Sequence, residues 1–493
     1  MNFDFHVVMP VLIVAAYGLL VLVFTPAFPR KDVRLLAAAS LVGLGVAAFK
    51  VVRLHGYKAE TAGGLVLTDD FALFFDLIFL VAGAIAILAS SSYLERENAC
   101  HGEYYALILF SIAGMMTMVG SENLLMIFLG LELLSIPLYI LSGFLRDRVR
   151  SVEAALKYFL LGAFSTGFIL YGIAFLYGAT GSLDLHEIQR ALAGGGVSRW
   201  TLAVGAGLTL VGFAFKIAAV PFHAWVPDVY QGAPTPVAAL MAAGTKAAAF
   251  AALLRIVHTG LPASSGVDWH AALGVLAVLT MTVGNVIAIA QTNIKRMLAY
   301  SSIAHAGYLL IAVVARAAEG ENASGSSIES GVSAAGFYLV SYTFMTMGAF
   351  VVASIVGKSG GSGEEGYQLS AYAGLGRRRP LLALAMTVFM LSLTGIPPTA
   401  GFIGKFAIFK AAVEGHLYLL ATIGLLNSAI GAYYYLGPVV AMWMQKEADG
   451  PGPVPATAGV QAALAISAAG TLVLGIYPGP LLEIARELCV ALS

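Results

Sequence analysis

Lys216, Lys246 and Lys405 lie in stretches that are otherwise as apolar as lipid, TLVGFAFKIAAVPFHAW, ALMAAGTKAAAFAALL and GFIGKFAIFKAA, and Glu132 lies in a fourth, NLLMIFLGLELLSIPLYIL. A charge at the centre of a transmembrane helix costs about 2.5–3.5 kcal/mol on insertion scales, so such groups persist where they pair, line a wet cavity or handle ions. The chemistry open to a lysine and a glutamate in these surroundings is proton exchange. Desolvation disfavours a buried ammonium and a nearby carboxylate restores it, so a Lys–Glu pair that opens and closes is a proton switch. Glu132 and Lys216 suit that pair if their helices adjoin. Lys246, on the helix after Lys216, would be the next acceptor and Lys405 a later one. The competing reading is a static ion pair that braces helices, or lysines that snorkel to the interface.

A second tier of residues could support the same chemistry. Lys157 lies one turn into its helix, where snorkelling is easy. His223, just after Pro221, and His305, within AYSSIAHAGYLL, could relay protons because an imidazole titrates near neutrality; each could equally be a hydrogen-bonded core histidine. Asp228 follows Pro227 and could cap a half-helix. Ser301 and Ser302 could hold water or satisfy backbone, and Tyr433-Tyr434-Tyr435 reads as packing or an interfacial belt.

The chain around these residues is 493 residues long, 59% hydrophobic and 11% charged, with a mean hydropathy of +0.87. Soluble domains carry about 25% charged residues, so this composition is that of a polytopic membrane protein in a lipid bilayer. The net charge is zero, which argues against a nucleic-acid partner. Cys100 and Cys489 fit no metal spacing and are not expected to pair. There is no Gly-rich phosphate loop, dinucleotide fingerprint or paired-carboxylate metal site, so no cofactor or metal is expected in this chain. The first apolar run follows Asp4, lacks a basic flank and is too long for a signal peptide, which predicts an uncleaved helix.

Apolar runs long enough to cross about 30 Å of hydrocarbon fall near 7–25, 34–54, 71–92, 104–120, 122–143, 153–179, 201–220, 236–258, 270–291, 298–315, 333–357, 381–414, 418–443 and 459–478. The seventh and twelfth are irregular. Lys216 is followed by Pro221, Pro227, Pro234 and Pro236, and Lys405 is preceded by Pro397-Pro398, Gly401 and Gly404. Interrupted helices at matching places in two halves point to an ion path. The predicted architecture is therefore an all-α membrane protein of about fourteen transmembrane helices, with two five-helix inverted repeats that each contain a broken helix. Residues 1–100 would form the first three helices, 101–260 the first repeat, 261–445 the second, and 446–493 the last helix. Loops after odd-numbered helices hold fourteen basic residues against nine on the other side, Arg255 counted among the nine. The positive-inside rule then puts both termini outside. The polar stretches 315–331 and 357–379 read as flexible linkers, the second ending in a surface helix, and the Asn322 sequon reads as chance.

The segment FKIAAVPFHAWVPDVYQGAPTPVAALMAAGTKAAAFAALLR (215–255) resembles the signature of the antiporter-like membrane subunits of respiratory complex I. The likeness extends to NLLMIFLGLELLSIPLYIL, QTNIKRMLAYSSIAHAGYLL and TGIPPTAGFIGKFAIFK, and so to nearly the whole chain. Lysine at 405 sets the sequence apart from the M-type branch, and the lack of a long lateral helix from the L-type branch. The resemblance implies proton translocation in the inner membrane of a bacterium, within a translocase whose NADH, FMN, iron–sulfur and quinone sites lie in partner subunits. It also implies roles. Glu132 would partner Lys216, Lys246 would be the central lysine and Lys405 the one near the exit. Lys157 and His223 would be additional axial groups, and His305 would hold a relay position. The alternative is a subunit of a multi-subunit cation/proton antiporter or membrane-bound hydrogenase, which shares these lysines.

Overall fold

In hydrocarbon every backbone N–H and C=O must be satisfied within its own segment, so uninterrupted apolar runs become helices. The computed structural model describes residues 3–27, 33–261, 269–317, 326–357, 367–446 and 456–491. Each of the fourteen apolar runs falls on a helix or a helix pair. The first six are α1 (Phe5–Phe24), α2 (Arg34–Arg53), α3 (Asp70–Arg96), α4 (Glu103–Val119), α5 (Leu124–Ser142) and α6 (Val149–Thr180). A short amphipathic helix, α7 (Leu185–Gly194), precedes the first broken element, α8 (Arg199–Lys216) and α9 (Trp225–Gly232). Next comes one continuous span of α10 (Thr235–Leu240), a π-helical turn (Met241–Thr245), α11 (Lys246–Arg255) and a second π turn (Ile256–Gly260). Then follow α12 (Trp269–Ile289), α13 (Ile294–Ala317), α14 (Ser326–Val356) and the short α15 (Leu375–Arg378). The second broken element is α16 (Pro380–Thr394) and α17 (Ala400–Glu414), followed by α18 (Tyr418–Met444), α19 (Ala458–Ile476) and amphipathic α20 (Gly479–Ala491). Among the described residues eleven helices are long and apolar enough to cross a membrane unaided, with α4 and α16 apolar but shorter.

Some features depart from the sequence reading. A two-stranded antiparallel hairpin, β1 (Ala59–Thr61) and β2 (Val66–Thr68), joins α2 to α3. The first residues are tied to it: the Asp4 amide donates to Thr61 Oγ1 at 2.9 Å, and Tyr57 Oη donates to the Asp4 carboxylate, holding it below the usual carboxylate range. Much of the two expected linkers, with the Asn322 sequon and the Cys489 side chain, lies outside the described residues. The remainder of the second is no linker. Tyr372 is fully buried and Tyr367 hydrogen-bonds Thr235 at 2.9 Å, so two aromatic anchors fold 367–379 against the bundle. Arg255 is no loop charge either: its side chain is completely buried.

Features recur between the halves. Asn123 caps α5, its Oδ1 accepting from the amides of Leu125 and Met126 at 3.0 and 3.4 Å, and its backbone bridges Asp184. Asn293 does the same at the start of α13, accepting from Lys295 and Arg296 at 2.9 and 3.3 Å and bridging Gln368. At the same remove before each asparagine stands a glycine, Gly114 or Gly284. A Cβ on Gly114 would meet Leu134 N at 2.2 Å, and one on Gly284 would meet Ala304 N at 2.7 Å. Counted from these asparagines, Glu132 of α5 corresponds to Ser302 of α13, and Ser135 to His305.

The glycine contacts let α4 touch α5, and α12 touch α13, backbone to backbone, the small-residue packing that membrane helices use in place of a hydrophobic drive. Gly114→Ala is expected to force α4 from α5 at about 1–3 kcal/mol of overpacking, lowering the amount of protein in membranes on an immunoblot. Gly45→Ala, with nothing within 4 Å, should leave it unchanged.

Candidate functional site

The first broken element stops at Lys216 because the chain leaves helical geometry there. Ala218 has φ +63°, and Pro221 lacks an amide donor. The groups freed by the break are satisfied: the Val220 amide donates to Thr280 Oγ1 at 3.0 Å, and Trp225 Nε1 to the Phe215 carbonyl at 3.2 Å. Lys216 is thus held at the C-terminal, electronegative end of α8. Its Nζ donates to Ser135 Oγ at 2.6 Å and lies 5.9 and 5.7 Å from the ring centres of Tyr139 and Tyr158. Glu132, about one turn before Ser135, is half-buried and accepts from Thr166 Oγ1 at 2.8 Å. No ion pair joins Glu132 to Lys216 among the described residues. The structure brings them to one site with Ser135, rather than the carboxylate, against the ammonium.

Lys157 Nζ is 2.6 Å from both Glu153 Oε1 and Asp228 Oδ2, and Arg296 Nη1 is 2.7 Å from Asp228 Oδ1. Asp228 therefore bridges two cations from the first turn of α9 instead of capping it. Glu153, Asp228 and Arg296, with Arg150 and Gln231, line an open cavity of about 300 Å³, and Lys157 reaches it through its two carboxylate partners. Beside it Lys295, buried, donates to the carbonyls of Gln231 and Ala233 at 2.9 and 2.7 Å. His223 is not drawn in: its ring is half-buried and its Nδ1 has no hydrogen-bond partner among the described residues.

Lys246 follows directly on the first π turn, a local widening often found at functional sites. Its Nζ donates to the Ser302 carbonyl and, at 2.6 Å, to Ser302 Oγ, and sits 5.6 Å from the Tyr342 ring centre. One turn further along α13, His305 is fully buried between two phenols, with Nδ1 bonded to Tyr338 Oη and Nε2 2.8 Å from Tyr435 Oη. Tyr435 Oη also lies 2.5 Å from Ser301 Oγ. The His305 ring is 5.0 Å from that of Tyr342 and 5.7 Å from that of Tyr308. Lys405 Nζ lies 5.0 Å from the Tyr308 ring centre and donates at 2.9 Å each to the Leu393 and Thr394 carbonyls and to Ser428 Oγ. Those carbonyls end α16, so Lys405, like Lys216, sits at the C-terminus of a first half-helix.

The sequence matches the family described as "NADH:quinone oxidoreductase/Mrp antiporter, TM" over residues 121–431. The chain belongs to that family. Among its relatives, NADH-quinone oxidoreductase subunit N of Trichlorobacter lovleyi is 50% identical over 485 residues, 98% of this chain and 96% of its own. Subunit N 1 of Solibacter usitatus is 45% identical over 97% of this chain and 96% of its own. A chain from respiratory complex I of Thermus thermophilus with bound aureothin is 36% identical, covers 96% of this chain and 98% of its own, and superposes with a TM-score of 0.80. A chain of the Mrp complex from Dietzia sp., 20% identical, shares the fold with a TM-score of 0.84 over 99% of this chain and 98% of its own.

Within this family member, Tyr308, Tyr338, Tyr342 and Tyr435 were invisible as site residues because a tyrosine in an apolar helix has the sequence signature of packing. The Tyr433–Tyr435 run is split by helical geometry: Tyr433 is 72% exposed, whereas Tyr434 bonds Asn285 at 2.9 Å and Tyr435 bonds His305. Ser302 was already among the hydroxyls that could hold water; the one available signal for Ser135 was its place one turn after Glu132. No group of three His, Cys, Asp or Glu side chains is placed to hold a metal among the described residues.

Proposed function

We propose that this chain is a proton-translocating membrane subunit of a complex I-type NADH–quinone oxidoreductase. Proton movement along its buried groups is coupled to electron transfer from NADH, through FMN and iron–sulfur clusters, to quinone in partner subunits. The observation that carries this reading is the row of buried polar side chains from Lys246 and Ser302, through His305 and its tyrosines, to Lys405. A neutral imidazole between two hydroxyls can accept a proton on one nitrogen and release one from the other. His305 is in that position, with a lysine beyond each end of its tyrosine cluster.

In this proposal the polar cavity at Lys157, Asp228 and Arg296 is the inlet, on the basic, inner side of a bacterial inner membrane, with both termini outside. Lys216 takes the proton when Glu132 moves closer and releases it towards Lys246 when Glu132 withdraws. The halves 101–260 and 261–445 supply one broken helix each, and Lys405 delivers the proton outward. His223 has no step. Identity of 50% to a subunit N over nearly the whole chain favours complex I over a free-standing antiporter.

Purification through a tag on this chain tests the assembly: NADH–quinone reductase activity and its redox subunits should co-elute. Stable assembly with small antiporter subunits alone would overturn it. Within the assembled complex, Glu132→Gln is expected to lower NADH-driven vesicle acidification several-fold, and Glu132→Asp to retain most of it, because only the carboxylate can switch Lys216. Equal pumping by the two variants would remove Glu132 from the switch.

A further inference from the structure

Asp76 takes no part in the row of groups above. It lies in α3, is only 6% exposed, and its Oδ1 has no hydrogen-bond partner among the described residues. Two turns earlier on the same helix face is Asp69, whose carboxylate is bonded through both oxygens to Arg255, at 2.9 Å each. Glu122 Oε1 accepts from the same guanidinium at 3.0 Å, and its Oε2 is 3.1 Å from Nε2 of His186, whose side chain is 44% exposed. A buried cluster of Asp69, Arg255 and Glu122 thus reaches the surface through one imidazole.

The helices align Asp76 with the central lysine. α11 ends at the beginning of α3, and the π turn that precedes α11 also packs on α3, so the two run antiparallel. Seven residues of helix set Asp76 about 10 Å deeper than Asp69, and nine set Lys246 about 13 Å deeper than Arg255. Asp76 therefore stands between the Arg255 cluster and the level of Lys246, within about one turn of the latter. A carboxyl with an unsatisfied oxygen in such surroundings is costly, and an apolar side chain would fill the place at no such cost.

We infer that Asp76 is a proton-carrying carboxyl that joins Lys246 to the Asp69–Arg255–Glu122–His186 cluster, giving the first half of the chain its own outlet on the side from which α1 starts. The Lys246 ammonium gives a proton, through water, to the Asp76 carboxylate and becomes a neutral amine. The carboxylic acid then gives it to a carboxylate beside Arg255, and His186 passes it to bulk water. This inference rests on the proposed function, in that Lys246 must carry protons.

The test compares Asp76→Asn, Asp76→Glu and Lys246→Ala in the intact complex, by NADH-driven acidification of inverted vesicles normalised to assembled complex. Asp76→Asn keeps the shape and cannot carry a proton; it is expected to lose at least half of the pumping, while Asp76→Glu retains most of it. Loss with Lys246→Ala but full pumping with Asp76→Asn overturns the outlet and leaves the proposed function standing. Full pumping with Lys246→Ala overturns both. An Asp76→Asn chain that fails to assemble while Asp76→Glu assembles would assign Asp76 a packing role and also overturn the outlet.

Discussion

Lys246→Ala should abolish most NADH-driven proton pumping, by about tenfold or more, in a complex that still assembles. Lys246 is the group on which the geometry converges: it follows the π turn of its own helix, touches Ser302 of α13 and faces Tyr342 of α14. Alanine removes the only ammonium there, and no described neighbour in contact with it can take a proton as readily, since Ser302 and Tyr342 are neutral hydroxyls. A tenfold loss corresponds to about 1.4 kcal/mol, less than the cost of holding a charge in the bilayer without such a carrier. Assembly should survive because Ser302 can satisfy its own hydroxyl through a neighbouring carbonyl, as other helix serines here do, Ser341 to Phe337 for one. Lys246→Met, which fills the volume without a titratable group, controls for the cavity. Dye-reported acidification of inverted vesicles, measured alongside NADH oxidation, reads the effect, and full pumping by either variant would take Lys246 off the path.

The second large effect is on stability. Arg255→Leu should all but eliminate assembled complex from membranes. Arg255 is 0% exposed, is clasped by Asp69 and Glu122, and rests 4.8 Å from the Phe71 ring centre. Breaking a buried charge cluster by removing one member leaves the others uncompensated, at about 3–5 kcal/mol, against a total stability of about 5–15 kcal/mol for a typical domain. Replacing the whole cluster with neutral groups should be far milder by the same reasoning. Arg255→Leu combined with Asp69→Asn and Glu122→Gln is thus expected to recover much of the assembled complex on a native gel. If the single and triple variants assemble equally well, the cluster contributes nothing to stability.

The membrane architecture was legible in the sequence because the bilayer leaves little choice. Apolar runs must be helices; Pro10, Pro137 and Pro438 are accommodated within theirs, whereas Pro221 just past one run and Pro397-Pro398 inside another fall at the breaks α8/α9 and α16/α17. Ionisable residues in apolar segments announce themselves for the same reason. Residues whose importance comes only from tertiary contact do not. Arg255 and Lys295 fall at segment ends, where a basic residue looks like a loop charge, yet both are buried on partners from distant elements. His305 stood out, but its meaning depends on Tyr338 and Tyr435, residues on other helices of which the first has no pattern of its own and the second lies in a run that reads as packing. Contact between Glu132 and Lys216 was expected, provided their helices adjoin, from their opposite charges and from the family resemblance. Ser135 holds the ammonium instead: its hydroxyl, one turn along α5, is buried against Lys216, while the half-buried Glu132 is engaged by Thr166 of α6.

The two π turns that bracket α11 have a mechanical consequence. Lys246 and Arg255 occupy the two ends of one ten-residue rod, and the Arg255 end is bolted to α3 by two carboxylate bonds. A rod fixed at one end can only tilt or twist about that anchor, so the ammonium at the other end describes a small arc rather than sliding along the membrane normal. The turn Met241–Thr245, whose π geometry widens the backbone ring, adjoins the Lys246 end of that rod. Leverage of this kind would let a modest push on α10 redirect the Lys246 side chain while the clasp at Arg255 stays shut.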